Sequence, residues 1–354
     1  MKNLAYVTLH GYGRDVIFAG ASAPRFAGAY LAERRLRDAL REKGIDCHTP
    51  DVMPLERFDA FFFRDMPRES DEAFRYARAS GRPMFLNVWE NPYIHRPNAD
   101  HARFADFRKV FSFRDDDVRL RGCVKLNYAL PLEMPPEEGV PFNDRRFACM
   151  VSSLVKKNRP HCCSYLRLRT IRFYERNHPE LFDLWGAGWE KGTYALQDRP
   201  GVFSALAACR INRLLPRVSH PSWRGECDDK VATSAGYRFA YCYENSTELA
   251  GYVTEKLFDV LSAGTVPVYL AHPSDMESIP GDCFIDRSRF SDDAELFDRL
   301  ALMDGKTWLA YRDAGRRFLE SAAARRFSFE AYIDTIVSTL APAILETENG
   351  KGRV

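Results

Sequence analysis

A strand–loop–helix–strand pattern in residues 237–270 constrains the fold more than any other part of the chain. Residues 237–243 (YRFAYCY) and 266–270 (VPVYL) are short runs rich in aromatic and β-branched residues, which predict two strands. Between them, apolar residues recur at helical spacing before Gly264, a residue type that commonly ends a helix: Val253, Leu257, Val260 and Leu261. The pattern predicts a βαβ unit, in which the two strands lie parallel in an α/β sheet.

Four polar residues flank the start of this helix, and we expect them to converge on an anion site: Glu244, Asn245, Glu255 and Lys256. The loop after the first strand of a βαβ unit lies at the carboxyl edge of the sheet, where ligands bind, and the helix that follows offers free N–H groups. Lys256 is in the first helical turn, where a cation is unfavourable unless an anion such as a pyrophosphate lies nearby. The alternative, which periodicity alone favours, is an ordinary solvated pair of Glu255 and Lys256 on the polar face of the helix.

The amino-acid sequence of this segment favours the anion site. YENS (243–246) followed by YVTEKLFDVLSAGTVPVY (252–269) resembles the signature of the α-1,3/1,4-fucosyltransferases, the inverting GDP-fucose enzymes of glycosyltransferase family 10. The resemblance implies GDP-fucose as the donor, and the matching positions are Asn245 and Tyr252, which would shape the nucleotide pocket, with Glu255 and Lys256. The loop before Tyr252 is one residue longer than is usual in the family, so the contacts of residues 247–251 are not carried over.

The same resemblance implies an α/β fold of the GT-B type, in which two Rossmann-like domains face each other across a cleft. The matched segment lies in the carboxyl-terminal half, as the donor site does in that family. A stretch rich in proline and acidic residues, LEMPPEEGVPFND (132–144), is the best candidate for a linker. The predicted organisation is an acceptor-binding domain in 1–135, a linker in 136–145, a GDP-sugar donor-binding domain in 146–326 and a helix in 327–354 that packs back on the first domain.

Alternating apolar runs and charged helical stretches predict α/β layers in both halves. Strands are expected at 4–9, 58–63, 84–88 and 110–113, and then at 147–151, 182–185, 238–243, 266–270 and 283–286, with helices over most of 292–345. A charged helix is expected over 29–43, with Leu31, Leu36 and Leu40 facing the core. The aspartate run at 115–117 has the composition of a metal-binding Asp-x-Asp motif, but we interpret it as a solvated loop.

An arginine-rich helix is predicted at the start of the second half. Residues 165–174 (YLRLRTIRFY) match in order and spacing the family's helix that follows the first strand of the donor domain. A guanidinium suits a diphosphate because its planar fork contacts two phosphate oxygens. Counting back from Gly186, Arg169 matches the family's phosphate-binding arginine, whereas Arg167 and Arg172 remain alternatives, as does a solvated basic face.

A carboxylate ends an apolar strand in the first half, in the segment RPMFLNVWENP (82–92). Pro92 biases Asn91 towards an extended or turn conformation, so Glu90 is expected at the carboxyl edge of the sheet. The segment resembles the family's Glu-Ser-Pro sequence with Asn91 in place of serine, which makes Glu90 the candidate general base. Without the resemblance, a single carboxylate at a strand end is usually a solvated cap.

The composition excludes several classes of protein. The chain has 354 residues, which suits two domains of about 150 residues, and its net charge of +2 disfavours a nucleic-acid partner. Nine cysteines without a C-x-x-C pair or metal-type spacing indicate reduced thiols in a cytosolic protein, although Cys162-Cys163 has no explanation. Without a secretory leader or an apolar run that could span a membrane, we expect a soluble, bacterial-type, cytoplasmic enzyme, with a peripheral position at the inner membrane face as an alternative.

The sequence therefore predicts an inverting glycosyltransferase that moves L-fucose from GDP-fucose to a hydroxyl of an acceptor oligosaccharide or glycolipid. Glu90 would remove the acceptor proton, Arg169 and Lys256 would neutralise the diphosphate, and Glu255 would steady the ribose or the oxocarbenium-like sugar. No metal or cofactor is expected, and the acceptor and the oligomeric state are left open. The alternatives are a GT-B transferase of another GDP-sugar, or a non-catalytic glycan- or nucleotide-binding protein of the same fold.

Overall fold

The computed structural model describes residues 1–8, 12–19, 27–154 and 162–346. These residues form two compact units, each with its own parallel β-sheet. The first unit comprises residues 1–131 together with 326–354, and the second comprises residues 132–325. The end of the chain therefore belongs to the first unit, and the second unit is one continuous segment.

Within the described residues, six parallel strands form the sheet of the first unit, in the order β2-β1-β3-β4-β5-β6. The strands are β1 (Lys2–Thr8), β2 (Ile45–His48), β3 (Ala60–Arg64), β4 (Met84–Val88), β5 (Lys109–Ser112) and β6 (Val124–Lys125). The helices are α1 (Ala27–Glu42), α2 (Glu72–Ser80), α3 (Asp115–Arg121) and the C-terminal helix (Phe329–Leu345). The strands expected in this half coincide with β1, β3, β4 and β5 apart from their ends, and residue 9 lies outside the described residues, whereas β2 and β6 are too short to give a clear sequence pattern.

Residues of α1 and the C-terminal helix share one hydrophobic core with this sheet. Leu36 and Leu40 are fully buried as expected, but Leu31 is 36% exposed, so that expectation is wrong. At 3.6 residues per turn, Leu31 points roughly 140° away from Leu36, whereas Leu40 lies roughly 40° from it. The C-terminal helix contributes Ile336 and Leu340 to the same core.

The aspartate run at 115–117 begins α3, so its interpretation as a solvated loop is wrong. Asp117 is fully buried, accepts a hydrogen bond from Ser112 Oγ at 2.8 Å, and lies 3.2 Å from His101 Nε2 and 3.5 Å from Arg114 Nη1. Carboxylates are favoured in the first turn of a helix because free N–H groups and the positive end of the dipole lie there. The run is therefore a helix start in which one member is part of the packing.

Within the described residues, five parallel strands form the main sheet of the second unit, in the order β13-β12-β11-β7-β8, and β9 and β10 form a separate antiparallel pair. The strands are β7 (Arg146–Val151), β8 (Phe182–Trp185), β9 (Thr193–Tyr194), β10 (Arg217–Val218), β11 (Tyr237–Tyr243), β12 (Val266–Leu270) and β13 (Ile285–Asp286). The helices are α4 (Ser164–Asn177), α5 (Pro200–Ala208), α6 (Lys230–Ser234), α7 (Glu255–Ser262), α8 (Pro273–Glu277), α9 (Asp293–Ala301), α10 (Gly305–Glu320) and α11 (Ala322–Arg325).

The βαβ unit predicted from the sequence is present. Strands β11 and β12 are parallel neighbours, with Phe239 opposite Val266, and α7 connects them. The buried face of α7 consists of Leu257, Phe258, Val260, Leu261 and Ser262. Gly264 follows the helix with φ 62°, a left-handed conformation that favours glycine. The start of α7 therefore lies at the carboxyl edge of the sheet.

The proline-rich segment expected as a linker is held against the second unit. Arg312 Nη2 donates hydrogen bonds to the carbonyl oxygens of Pro136 (2.8 Å) and Glu137 (3.0 Å), and Ser262 Oγ donates to that of Glu133 (2.7 Å). Helices α10 and α7 thus fix the segment from within that unit.

Candidate functional site

A buried carboxylate, Glu244, lies at the end of β11 and organises the predicted donor site. Glu244 is 0% exposed and accepts hydrogen bonds from the Thr254 backbone nitrogen (2.8 Å), the Thr254 hydroxyl (2.7 Å) and the Tyr269 hydroxyl (3.2 Å). Lys256 Nζ lies 3.3 Å from Glu244 Oε2. Because these contacts are all internal to the unit, Glu244 fixes the loop instead of facing a ligand, and the expectation that it lines the anion site is wrong.

A second buried carboxylate holds the turn before α7. Asp275, in α8, is 5% exposed and accepts hydrogen bonds from the nitrogen of Gly251 at 2.8 and 3.0 Å and from that of Tyr252 at 3.1 Å. Gly251 adopts φ 88°, which glycine tolerates without strain. Sequence reasoning missed Asp275 because its partner Gly251 is 24 residues away and no local motif marks the pair.

Arg167, Asn245 and Tyr252 form one chain of hydrogen bonds at the carboxyl end of β11. Arg167 Nη2 donates to the Tyr243 carbonyl and to Asn245 Oδ1 (3.0 Å), and Asn245 Nδ2 donates to the Tyr252 hydroxyl (3.2 Å). Arg167 is 7% exposed, and Lys256 Nζ lies 3.3 Å from Glu244, the residue between Tyr243 and Asn245. The structure thus brings Arg167 together with three residues that the resemblance matched.

The other two arginines of α4 contact a different part of the unit. Arg169 is exposed and donates from Nε to the Asp198 carbonyl (3.1 Å). Arg172 is buried, forms an ion pair with the Asp198 carboxylate and donates to the Thr193 hydroxyl (3.1 Å). Residues two apart on a helix do not share a face, so Arg167 and Arg169 point in different directions. Arg172 anchors the chain around β9, whereas the charge of Arg169 has no carboxylate partner among the residues that the structure describes.

Lys256 and Glu255 are both charged at neutral pH. Lys256 Nζ lies 3.3 Å from Glu244 and 3.7 Å from Glu255, and Lys230 Nζ lies 3.4 Å from Glu255. Burial alone would lower the pKa of Lys256, but the carboxylates of Glu244 and Glu255 raise it. Burial alone would raise the pKa of Glu255, but the charges of Lys256 and Lys230 lower it to about 2. The Glu255 side chain is 41% exposed and that of Lys256 is 21% exposed, so a ligand can reach both.

A cavity of about 10 Å³ lies between the end of β7 and the start of α4, with room for about one water molecule. Its lining includes Ser152, Ser164, Arg167 and Gln197. The turn after β8 closes against it: Gly186 has φ 126°, and a Cβ there would lie 2.4 Å from the Ser152 carbonyl oxygen. This cavity is too small for a nucleotide, but it gives Arg167 a polar neighbourhood at the strand ends.

In the first unit, two buried side chains hold the backbone of Glu90, which lies two residues after the end of β4. The Glu90 nitrogen donates to Asp65 Oδ1 at 2.6 Å, and the Glu90 carbonyl accepts from Asn98 Nδ2 at 2.8 Å. Asp65 Oδ1 also accepts from the Trp89 nitrogen (2.8 Å) and from Asn98 Nδ2 (2.7 Å). The Asn91 nitrogen donates to Glu90 Oε1 at 2.8 Å, which orients the carboxylate. Sequence reasoning found Glu90 but neither of its supports.

A polar depression also lies in the first unit. It has a volume of about 850 Å³ and lies at the carboxyl ends of β1 and β2, within the size range of ligand sites. Its lining includes Tyr12, Thr49, Asp51, Glu72 and Tyr76. Hydroxyl, carboxylate and aromatic groups are the side chains that hydrogen-bond to and stack on sugars.

Three further observations bear on the chemistry of the chain. The described residues contain no group of three or more His, Cys, Asp or Glu side chains that could hold a metal ion. Within the same ranges, no helix has the length and apolar character needed to cross a bilayer. All nine cysteines are free thiols, and the Cys163 nitrogen donates to the Asn245 carbonyl at 2.8 Å, so the Cys162-Cys163 pair leads into α4 beside the predicted donor loop.

Several solved structures share this architecture. A crystal structure of an α1,3-fucosyltransferase has a TM-score of 0.53 at 15% identity, covering 98% of this chain and 90% of that one. The α1,3-fucosyltransferase with GDP has a TM-score of 0.51 at 15% identity, with the same coverage of 98% and 90%. An α-glucosyltransferase in complex with UDP-glucose and DNA has a TM-score of 0.56 at 12% identity, covering 96% of this chain and 100% of that one. At these identities the likeness is evidence for the fold alone.

Two α/β units, each with a parallel sheet and charged side chains at the strand ends, have the GT-B fold of these glycosyltransferase structures. Residues 217–313, which contain β11, α7 and β12, match the family model described as glycosyltransferase family 10 (fucosyltransferase) C-term. The chain is similar to that family over these residues. No curated protein matches it.

Proposed function

We propose that this protein is a glycosyltransferase that moves L-fucose from GDP-fucose to a hydroxyl group of an acceptor glycan, with inversion at the anomeric carbon. The observation that carries the proposal is the meeting of Arg167, Asn245, Tyr252 and Lys256 at the carboxyl end of β11. Three of these four residues lie in the segment that matches the family model. The second unit is therefore assigned to the donor and the first to the acceptor.

A diphosphate is the ligand that best fits the start of α7. The free N–H groups and the positive end of the helix favour an anion, and Lys256 adds a full charge in the first turn. Arg167 is a natural second cation because it already contacts Asn245. Arg169, which the resemblance matched, stays a candidate because its exposed guanidinium is not paired with a carboxylate in the described part of the chain. Each charge-assisted hydrogen bond to phosphate would contribute about 1.5–3 kcal/mol.

Asn245, Tyr252 and Glu255 complete the donor site in this proposal. The hydrogen bond between Asn245 and Tyr252 fixes both side chains where the nucleotide would pack. Glu255 carries a negative charge, is 41% exposed and cannot bind phosphate well, so it would accept hydrogen bonds from ribose hydroxyls or face the oxocarbenium-like sugar.

Glu90 would act as the general base. In a single displacement the acceptor oxygen forms a bond to the anomeric carbon, and the bond between that carbon and GDP breaks with its electron pair on the phosphate oxygen. The acceptor proton passes to the Glu90 carboxylate. Lys256 and the arginine on α4 neutralise the charge that develops on the leaving GDP. The polar depression of the first unit offers groups that suit the rest of the glycan.

Two alternatives remain distinct from this proposal. A transferase of another GDP-sugar would use the same diphosphate contacts, because these contacts do not involve the 6-methyl group of fucose. A non-catalytic binding protein of the same fold would retain GDP binding without transfer. The UDP-glucose enzyme among the structural neighbours also means that the fold by itself does not select the base. The net charge of +2 and the free thiols favour a glycan acceptor and a cytoplasmic location.

The proposal is tested first by thermal unfolding with GDP and UDP, each with and without a chelator. Saturating GDP should stabilise the folded chain by about 2.7 kcal/mol at a hundredfold excess over the dissociation constant, with or without the chelator. A shift with UDP alone would overturn the donor assignment, as would loss of the GDP shift on chelation. Incubation with a panel of GDP-sugars and glycan acceptors, followed by linkage analysis, then identifies the sugar, and hydrolysis of the donor without acceptor separates an enzyme from a binding protein.

A further inference from the structure

Residues 199–217 of the second unit, here called the 199–217 segment, lie outside the five-stranded sheet. It contains α5 and a 3-10 turn (Ile211–Leu214), and it ends in β10, which pairs only with the short strand β9 in the described residues. Phe203 of α5 is buried, with its ring 5.8 Å from that of Tyr194, so one side of α5 is fixed to the unit.

The segment is strongly basic. Residues 199–217 contain four arginines and neither aspartate nor glutamate. Arg224 is neutralised by Asp183, but in the described residues no carboxylate pairs with Arg199, Arg210 or Arg213. Arg217 donates to the Gly192 carbonyl at 2.9 Å and lies over the Tyr194 ring at 4.2 Å from its centroid, without a carboxylate partner in the described residues. Four positive charges therefore lie within 19 residues, on a chain with a net charge of +2.

The same segment exposes large apolar side chains. Leu214 is 82% exposed, Val202 is 50% exposed and Ile211 is 46% exposed. A basic face alone would suit nucleic acid, but a phosphate backbone offers no apolar surface on which an exposed leucine could be buried. An apolar face alone would suit a second protein, but the uncompensated arginines would then be carried into the interface at a cost in desolvation. Interleaved arginines and apolar side chains are the pattern that binds at the boundary between lipid head groups and acyl chains.

We propose that the 199–217 segment is a docking surface for a lipid bilayer with anionic head groups. Its arginines would contact lipid phosphates while Val202, Ile211 and Leu214 enter the acyl boundary. Asp198, at the base of the segment, is bound to Arg172 and accepts from Arg169, so the surface is attached to α4 of the donor-binding unit. Docking would favour a glycolipid over a free oligosaccharide as acceptor, and this consequence alone rests on the proposed transferase activity.

Co-sedimentation of the full chain with vesicles tests the surface directly. The vesicles contain phosphatidylcholine alone or mixed with phosphatidylglycerol, and the chain is expected to bind the anionic vesicles and to be released by salt. Each basic residue near an anionic surface contributes about a fivefold increase in partitioning, so Arg210→Glu/Arg213→Glu should lower partitioning by more than about 25-fold. Leu214→Asp should lower it as well.

Matched variants give the controls. Arg299→Glu/Arg325→Glu makes the same change in charge at exposed sites outside the segment, and Leu302→Asp alters a leucine that is also 82% exposed. These variants should bind as the unaltered chain does. Equal losses in control and segment variants, or no preference for anionic vesicles, would overturn the proposal.

Two further measurements separate the other occupants. A labelled DNA duplex that competes with the vesicles and loses affinity in the same arginine variants would assign the surface to nucleic acid instead. A change of molecular mass in light scattering with Leu214→Asp, without a change in vesicle binding, would assign it to a second copy of the chain. The GDP-induced shift in melting temperature is read for every variant. Because vesicle binding needs no donor, failure of the surface is distinguishable from failure of the proposed activity.

Discussion

The Asp65 carboxylate lies 2.6 Å from the backbone nitrogen of Glu90, and the left-handed conformation of Asp65 (φ 72°) accompanies this contact. Asp65 follows β3 and Glu90 follows the neighbouring strand β4, so the contact joins two adjacent strand ends. With Asn98 on the Glu90 carbonyl, both sides of the Glu90 backbone are fixed by buried side chains. A general base requires such support, because its carboxylate must keep a fixed distance and orientation relative to the reacting hydroxyl.

Asp65→Gly and Asp65→Asn test this support. Glycine keeps the left-handed backbone but removes the acceptor of three hydrogen bonds, whereas asparagine keeps an oxygen in that position. We expect Asp65→Gly to lower kcat by about 10- to 100-fold and the free energy of unfolding by about 1–3 kcal/mol, with GDP affinity unchanged. For Asp65→Asn, kcat and the free energy of unfolding should stay near those of the unaltered chain. Transfer kinetics, a pH–rate profile and urea unfolding measure these effects, and an Asp65→Gly enzyme with normal kcat would disprove the role.

Glu90→Gln keeps the shape of the side chain and removes its basicity. If Glu90 takes the acceptor proton, turnover should fall by about 10²–10⁴-fold while the dissociation constant of GDP stays the same. Glu42→Gln, an exposed carboxylate at the end of α1, is the control and should change neither quantity. Near-normal turnover in Glu90→Gln would move the search to other carboxylates of the first unit.

Lys256→Met retains the apolar stem and removes the charge. Loss of a charge-assisted contact to phosphate costs about 1.5–3 kcal/mol, so GDP should bind about 10- to 100-fold more weakly by calorimetry. The variant also removes the cation beside Glu244, which keeps its hydrogen bonds to Thr254 and Tyr269. Urea unfolding is therefore measured in parallel, and Lys256→Arg should recover part of the GDP affinity. Unchanged GDP affinity in a folded Lys256→Met protein would remove Lys256 from the donor site.

The arginines of α4 can be separated by single substitutions. Because Arg167 contacts Asn245 and lies near Lys256, Arg167→Gln should weaken GDP binding by about 10- to 100-fold. Arg169→Gln should have the smaller effect, and Arg176→Gln, an exposed control on the same helix, should have none. The opposite order of the first two would show that counting back from Gly186 identified the phosphate ligand correctly.

Glu255 makes stability depend on pH. Its folded-state pKa of about 2 is below the ordinary value of 4.5, so its ion pairs stabilise the fold above about pH 4.5 and are lost as the pH falls towards 2. Glu255→Gln should therefore lose less stability than the unaltered chain between about pH 5 and 3. Urea unfolding at both pH values measures the difference, and equal losses would show that Glu255 titrates as an isolated carboxylate.

The sequence predicted those features whose determinants lie close together along the chain. The βαβ unit, the stop at Gly264 and the place of Lys256 in the first turn follow from about thirty consecutive residues. Asp65 and Asp275 escaped prediction because they accept hydrogen bonds from backbone nitrogens 25 and 24 residues away along the chain. Asn98 is only 8 residues from Glu90, but its amide is also bound to the Asp65 carboxylate 33 residues away. Their roles depend on which strand ends are adjacent, which local spacing does not encode.

The direction of the Arg167 side chain is a second feature that the sequence did not predict. Counting along a helix gives the position of an arginine but not the direction in which it points relative to the next strand. Two positions of offset separate a residue bound to Asn245 from one bound to Asp198. The aspartate run at 115–117 failed for a related reason, since whether a charged stretch is a loop or a helix start depends on how the following residues pack.

The position of the C-terminal helix determines the order in which the two units can fold during synthesis. Leu130 is hydrogen-bonded to Phe327 at 2.8 Å, and Asn87 donates to the Tyr332 hydroxyl at 3.2 Å, so the first unit is complete only when the last helix has joined it. A ribosome makes the whole second unit between these two parts. The second unit can therefore fold as it emerges. Phe62 and Phe85 share a core with the C-terminal helix, so their burial is incomplete until that helix has been made. A nascent chain released before residue 329 would carry every predicted site residue and all six strands of the first sheet, but its core would lack the C-terminal helix.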